Sequence, residues 1–146
     1  MWNEIKNDIE LQQFMDLVNC FHDGCVKEIR YLSGAYVNAD LSMYPMNDCR
    51  TLQLVIQLQN ETVSMIEMKF EGLKFLRLTP VCDKYTCEIS AASMFFSDNR
   101  IYWCDDVCSG KTDFDNFDGT AICAEKVCYR VIENSMGSKE YFNSQG

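Results

Sequence analysis

Phe21-His22-Asp23 holds the chain's single histidine, so any imidazole-based acid–base or nucleophile-activating chemistry must pass through His22. Neighbours on an extended chain point to opposite sides, which places Asp23 badly for orienting the His22 ring. Nine cysteines offer thiol partners, but none lies in a local signature of a catalytic cysteine. A capping or turn-stabilising role for His22, between a helix and the strand after it, is the simpler expectation.

The cysteine spacings raise metal binding as a second chemistry. Cys20/Cys25, Cys82/Cys87 and Cys123/Cys128 are each separated by four residues, and Cys104/Cys108 by three. Structural zinc sites use pairs with two to four intervening residues. Two side chains five positions apart fall on opposite faces of a strand, and the last two of the four-residue pairs lie in strand-like text. An odd count leaves at least one thiol unpaired, and the polar, acidic first residues do not read as a secretion signal. Reduced thiols in a cytoplasmic protein are therefore expected, with metal ligation or disulfides as alternatives and no metal or cofactor assigned.

Carboxylates supply the third chemistry. Residues 105–119 read as the one long loop, with Asp105, Asp106, Asp113, Asp115 and Asp118 gathered around Phe114 and Phe117. A calcium loop started at Asp113 would need an oxygen ligand at Phe117, glycine at Asp118 and glutamate at Ala124, so that pattern fails. Phe114 and Phe117 either tuck into the edge of the core or stand as exposed anchors among carboxylates, as on partner-binding surfaces. Glu67, Glu71 and Glu88 lie on or beside strands, where a solvated sheet face is expected rather than a glycosidase pair. Phosphate-binding glycine loops, nucleotide fingerprints and histidine-rich ligand sets are absent from the sequence.

These groups must be held by a chain of 146 residues, a length that suits one domain spanning 1–146. Hydrophobic content of 47% argues against disorder, and no apolar run reaches the roughly 18 residues of a membrane span. The net charge of -9 argues against binding nucleic acid and for a basic partner. Asn7 with Glu10 resembles a capping box, and Leu11, Phe14, Met15 and Val18 recur at helical spacing, which predicts a helix over 8–19. Alternation then takes over. Strands are predicted at 25–32, 35–43 (weakly), 51–59, 63–70, 73–78, 85–96, 101–104 and 121–133, with turns at Asn60-Glu61 and Glu71-Gly72. Val55 alone breaks the one-face pattern of 51–59, and the slip between Phe75 and Leu76 suggests a bulge. The arm 1–6 and the tail 134–146 are expected to fray. The resulting class is α+β and mainly β: an N-terminal helix and an antiparallel meander of about seven strands forming a curved sheet or sandwich.

Phe21-His22-Asp23-Gly24-Cys25-Val26-Lys27-Glu28-Ile29, Ile66-Glu67-Met68-Lys69-Phe70 and Ile101-Tyr102-Trp103-Cys104-Asp105 carry a resemblance that covers residues 17–132. They look like small uncharacterised bacterial β-rich proteins, a group similar to immunity proteins of polymorphic toxin systems. The cysteine richness is not part of that pattern. The resemblance implies a cytoplasmic binding protein with no catalytic residues to carry over. Taken with the acidity, the expected function is non-catalytic: a protein-binding module that neutralises a basic protein, using Asp105, Asp106, Asp113, Phe114, Asp115, Phe117, Asp118 and His22. The alternatives are a structural homo-oligomer without ligand, and a small-ligand or metal-dependent activity around His22 and the acidic loop.

Overall fold

Capping chemistry starts the one long helix, α1 (Asp8–Leu17), in a computed structural model that describes residues 1–145. Asn7 is extended, and its side-chain oxygen accepts the Glu10 N–H at 2.9 Å. The Glu10 carboxylate reaches back to the Lys6 N–H at 2.7 Å, one residue further than in a standard capping box. Leu11, Phe14 and Met15 form the buried stripe, and Val18 continues it past the helix end. The helix stops before residue 19 because Asn19, Cys20 and Phe21 all take left-handed backbone angles (φ 50°, 51° and 59°). Three such residues in a row are unfavourable for side chains bearing a Cβ, so packing must hold them. Phe21 supplies that packing: it is fully buried, edge-on to Phe14 at 5.7 Å and to Trp103 at 6.1 Å.

The sheet is built from β1 (Asn3–Glu4), β2 (Gly24–Leu32), β5 (Thr51–Leu58), β6 (Met65–Arg77), β7 (Glu88–Ile89), β8 (Ser93–Ser97), β9 (Arg100–Cys104) and β10 (Ala121–Val131). A separate two-stranded hairpin consists of β3 (Tyr36–Val37) and β4 (Met43–Tyr44), and two short helices follow, α2 (Lys111–Asp115) and α3 (Tyr141–Gln145). All pairings are antiparallel, in the order β7-β2-β5-β6-β10-β9-β8, with β1 added to β10. The chain is thus α+β and mainly β, as its patterning predicts, with one curled sheet rather than a sandwich.

The two end strands, β7 and β8, are joined in sequence by Ser90–Ala92 alone. The left-handed turn fills the seam between them. Asp23 donates its N–H to Ile89 O (3.0 Å), Ala92 donates to Cys20 O (2.8 Å), and the His22 ring bonds Ser90 O through Nδ1 (2.6 Å). Leu52, Leu54, Ile56, Ile66, Met68, Phe70, Ile101, Trp103 and Ile122 line the inside of the curl around α1.

Several local expectations are corrected by tertiary context. Glu71-Gly72 is not a hairpin turn: β6 continues through it, with Gly72 taking a positive φ (+63°) as a local bend within the strand. A register shift opposite Cys123/Ala124 leaves Lys74 unpaired, so the bulge lies immediately before Phe75 rather than after it. Residues 85–96 divide into β7 and β8 at the seam, and residues 105–119 contain α2 rather than loop alone. Ile5 in the arm and the start of α3 in the tail are docked instead of frayed. Ile5 is buried and donates its N–H to Val127 O, while α3 begins on the Glu28 carboxylate, which accepts the Tyr141 and Phe142 N–H groups at 2.6 and 3.2 Å. Tyr141 covers Val55 and Met65 on the outer sheet face. Glu67, expected in solvent, is buried there as well, 3.1 Å from Arg130 Nη2. The same guanidinium donates to Tyr141 Oη at 3.1 Å and stacks over the Trp2 ring at 4.5 Å, with Lys69 Nζ 4.9 Å from that ring.

Phe21→Ala is expected to lower the free energy of unfolding in urea by about 3–5 kcal/mol, whereas the exposed Leu41→Ala stays within about 0.5 kcal/mol of wild type. Cys20→Val, which places a β-branched residue in the left-handed turn, should cost about 1–2 kcal/mol beside a near-neutral Cys20→Gly.

Candidate functional site

The acidic segment begins where β9 ends. Asp105 and Thr120 hold the two ends of the loop together: Asp105 N–H donates to Thr120 O, and Thr120 N–H donates to Asp105 Oδ1, each at 3.2 Å. The Tyr85 hydroxyl donates to Asp105 Oδ2. Burial dominates the titration of this half-buried carboxyl and pushes it up to about 6.

Three further carboxylates, those of Asp106, Asp113 and Asp115, are tied into the loop's own backbone and side chains. Asp113 accepts the Ser109 N–H and hydroxyl, which hold its carboxyl below the usual range. Asp106 accepts the Val107 N–H at 2.7 Å, and Asp115 pairs with Lys111 at 3.1 Å. The Asp118 carbonyl accepts the Thr79 hydroxyl at 2.7 Å.

The two loop phenylalanines do different work. Phe114 is fully buried on the outer sheet face, 4.9 Å from Tyr102 and 5.9 Å from Phe95, and is not an exposed anchor. Its α2 backbone is therefore pinned to β8 and β9. Phe117 is half-buried beside the same cluster and rests on Gly119, where an added Cβ would come within 2.3 Å of the ring.

The fold thus brings Asp105, Asp106, Asp113, Phe117 and Asp118 to one open groove of about 710 Å³, together with Tyr85 and Glu88. Asp115 lies outside that lining. His22 stands behind the wall, bonded to the carbonyl of the groove residue Ser90. Asp23 does reach the His22 ring, with Oδ2 3.3 Å from Nε2, contrary to the extended-chain expectation. Asp23 takes φ 59°, and this bend brings the two side chains together. Among the described residues, no group of three or more His, Cys, Asp or Glu side chains is arranged to hold a metal ion.

A second surface was not singled out by sequence reasoning. Between β2 and β5 the chain projects as the β3–β4 hairpin, and its apolar side chains face solvent. Tyr31, Leu32, Tyr36, Val37, Met43 and Tyr44 are each more than half exposed, and Leu41 and Met46 reach 83% and 84%. Tyr36 and Tyr44 stack on each other at 5.2 Å, so the hairpin presents a rigid aromatic pair rather than loose side chains. Asn38 and Ser42 close its tip by backbone and side-chain hydrogen bonds. Asp40 accepts both the N–H and hydroxyl of Ser42, and these bonds hold its carboxyl below the usual range. From Tyr31 to Cys49 there are two aspartates and no lysine or arginine. The signal available in the sequence was this cation-free run of tyrosine, methionine and leucine, which weak alternation had assigned to an ordinary strand.

Comparison with protein-family models, with curated proteins and with solved structures found no match for this chain. The surfaces themselves therefore carry the functional argument.

Asp105 gives a pH signature. Its folded pKa lies above the unfolded value, so the stability it contributes is present below about pH 4 and is lost as pH rises through about 6. Asp105→Asn removes that loss. The variant should gain about 1–2 kcal/mol over wild type at pH 7 relative to pH 4, after discounting for solvent screening of a half-exposed group. Urea unfolding at the two pH values measures the difference.

Proposed function

We propose that this chain is a cytoplasmic, non-catalytic protein-binding module of the immunity type, which docks a basic protein through the β3–β4 hairpin. The carrying observation is the patch of eight exposed apolar side chains between Tyr31 and Met46. Tyr36/Tyr44 and Val37/Met43 take the two faces of the ribbon, so both faces are apolar and exposed, and tyrosine and methionine are enriched in interface cores. The occupant's charge follows from the rim. Asp40 and Asp48 border the patch, Asp48 with Arg50 3.9 Å away, and the whole chain carries -9. A partner with an apolar spot inside a Lys/Arg-rich border complements both features, and the acidic groove would add long-range steering toward it.

A toxin that is a nuclease carries such a basic surface to meet phosphate, so an acidic neutraliser suits it. The resemblance at Phe21-His22-Asp23 and Ile66–Phe70 supports the same reading.

Co-expression with a toxin encoded beside this chain's gene tests it. The wild-type protein should restore growth, while Leu41→Asp combined with Met43→Asp should abolish rescue, with an unfolding midpoint within a few degrees of wild type. Absence of a neighbouring toxin, or full rescue by the double variant, would refute the proposal. Sedimentation supplies a further arm. A wild-type dimer that the double variant converts to monomer would assign the patch to a second copy of the chain and also refute it.

A further inference from the structure

The eight methionines of this chain live in two different environments. Met65 and Met68 are fully buried in β6, and Met15 is buried on the inner stripe of α1. Met43 and Met46 stand instead on the hairpin segment, 64% and 84% exposed. Met43 pairs across the ribbon with Val37 and shares its apolar face. Met46 follows Pro45 and lines a shallow surface cavity of about 490 Å³ together with Tyr31. Met1 and Met136 are also exposed but lie outside the hairpin. A thioether has no proton to lose, so solvent access rather than titration decides which of these sulfurs an oxidant reaches.

We propose that Met43 and Met46 form a modification site at which hydrogen peroxide turns the hairpin surface from apolar to polar and switches docking off. The inference rests on the hairpin being the docking surface and adds how that surface is regulated. Each thioether sulfur attacks one peroxide oxygen and the O–O bond breaks. The hydroxide released takes the proton carried by the transferred oxygen and leaves as water. The sulfur gives up two electrons and becomes a sulfoxide, and one peroxide is reduced to water per methionine. Sulfoxide reductases reverse the step with a dithiol, which becomes a disulfide as the sulfoxide oxygen leaves as water.

Oxidation here acts on recognition rather than on folding. A sulfoxide oxygen is a strong hydrogen-bond acceptor, and pressing it against a partner's apolar spot leaves it without a donor. The stacked Tyr36–Tyr44 pair occupies the other face of the ribbon and involves neither sulfur, so the hairpin keeps its shape. Met65 and Met68 stay out of reach beneath the sheet surface, so the core keeps its packing.

The test treats the full chain with hydrogen peroxide and then with dithiothreitol, which returns disulfides but not sulfoxides. The tryptic peptide 31–50 should carry sulfoxide at both methionines, a gain of about 32 Da, while the peptide 51–69 with Met65 and Met68 stays unmodified. Retention on a phenyl column should fall, and sulfoxide reductases should restore it. Met43→Leu combined with Met46→Leu keeps an apolar patch that peroxide cannot convert. Its retention should not change on treatment, although Met1, Met136 and the cysteines remain open to oxidation. In pull-downs with the toxin encoded beside the gene, the untreated wild type and both forms of the leucine variant should bind. The oxidised wild type should bind about tenfold more weakly or worse. If the untreated wild type does not bind, the docking reading falls and the switch falls with it. If it binds and the oxidised form binds equally well, docking stands and the switch alone is overturned. Oxidation of 31–50 no faster than 51–69, or the same loss of retention in the leucine variant, overturns the switch as well.

Discussion

Everything in this fold hangs on Phe21 being held inside the curl of the sheet. The residue sits in a backbone conformation that disfavours any side chain bearing a Cβ, and its neighbours Asn19 and Cys20 share that cost. Burial between Phe14 and Trp103 offsets the strain. With the turn so anchored, Cys20, His22 and Asp23 present the donors and acceptors that bridge Ile89, Ser90 and Ala92. The seam between β7 and β8 would otherwise expose unpaired backbone at both sheet ends. One buried ring thus holds in place the turn that bonds to the connection between the two end strands.

The outer face of the sheet follows a different rule. It is covered in patches, by Phe114 of α2 over Tyr102 and Cys123 and by Tyr141 of α3 over Val55 and Met65. Glu67 is tolerated in this dry setting because Arg130 meets it and is itself braced by Tyr141 and Trp2. Both covers lie at the surface but neither is free to act as a binding loop in the ordinary sense. The hairpin between β2 and β5 is the exception, since its side chains have nothing of this chain to cover them. The contrast between patched and unpatched apolar surface, more than any single residue, separates structure from recognition here.

Much of the local structure was legible because short-range chemistry decides it. Asn7 caps α1 as its position promises, and β5 lies where Leu52, Leu54, Ile56 and Leu58 alternate. Val55 broke that alternation for a reason that lies 86 residues away in Tyr141, so the anomaly was readable but its cause was not. Glu28 likewise starts a helix from 113 positions upstream, and no local pattern in the tail announces it. Gly72 with its preceding glutamate imitates a hairpin turn. Only the long pairing of β6 with β10 shows that the glycine bends a continuous strand. At the candidate site, the gathering of Asp105, Asp106, Asp113 and Asp118 was legible from composition. The inward turn of Phe114 was not, because it depends on the aromatic floor that β8 and β9 provide.

The two tryptophans occupy opposite worlds in this arrangement. Trp103 lies sealed within the curl, where an indole emits toward the blue. Trp2 lies outside, flanked by Lys69 and Arg130 on the tail-covered face. The chain consequently carries two intrinsic optical reporters with separate jurisdictions. Loss of the terminal docking alters the emission of one, while only collapse of the central packing shifts the other. Fluorescence therefore distinguishes, without any label, the shedding of the outer cover from global unfolding.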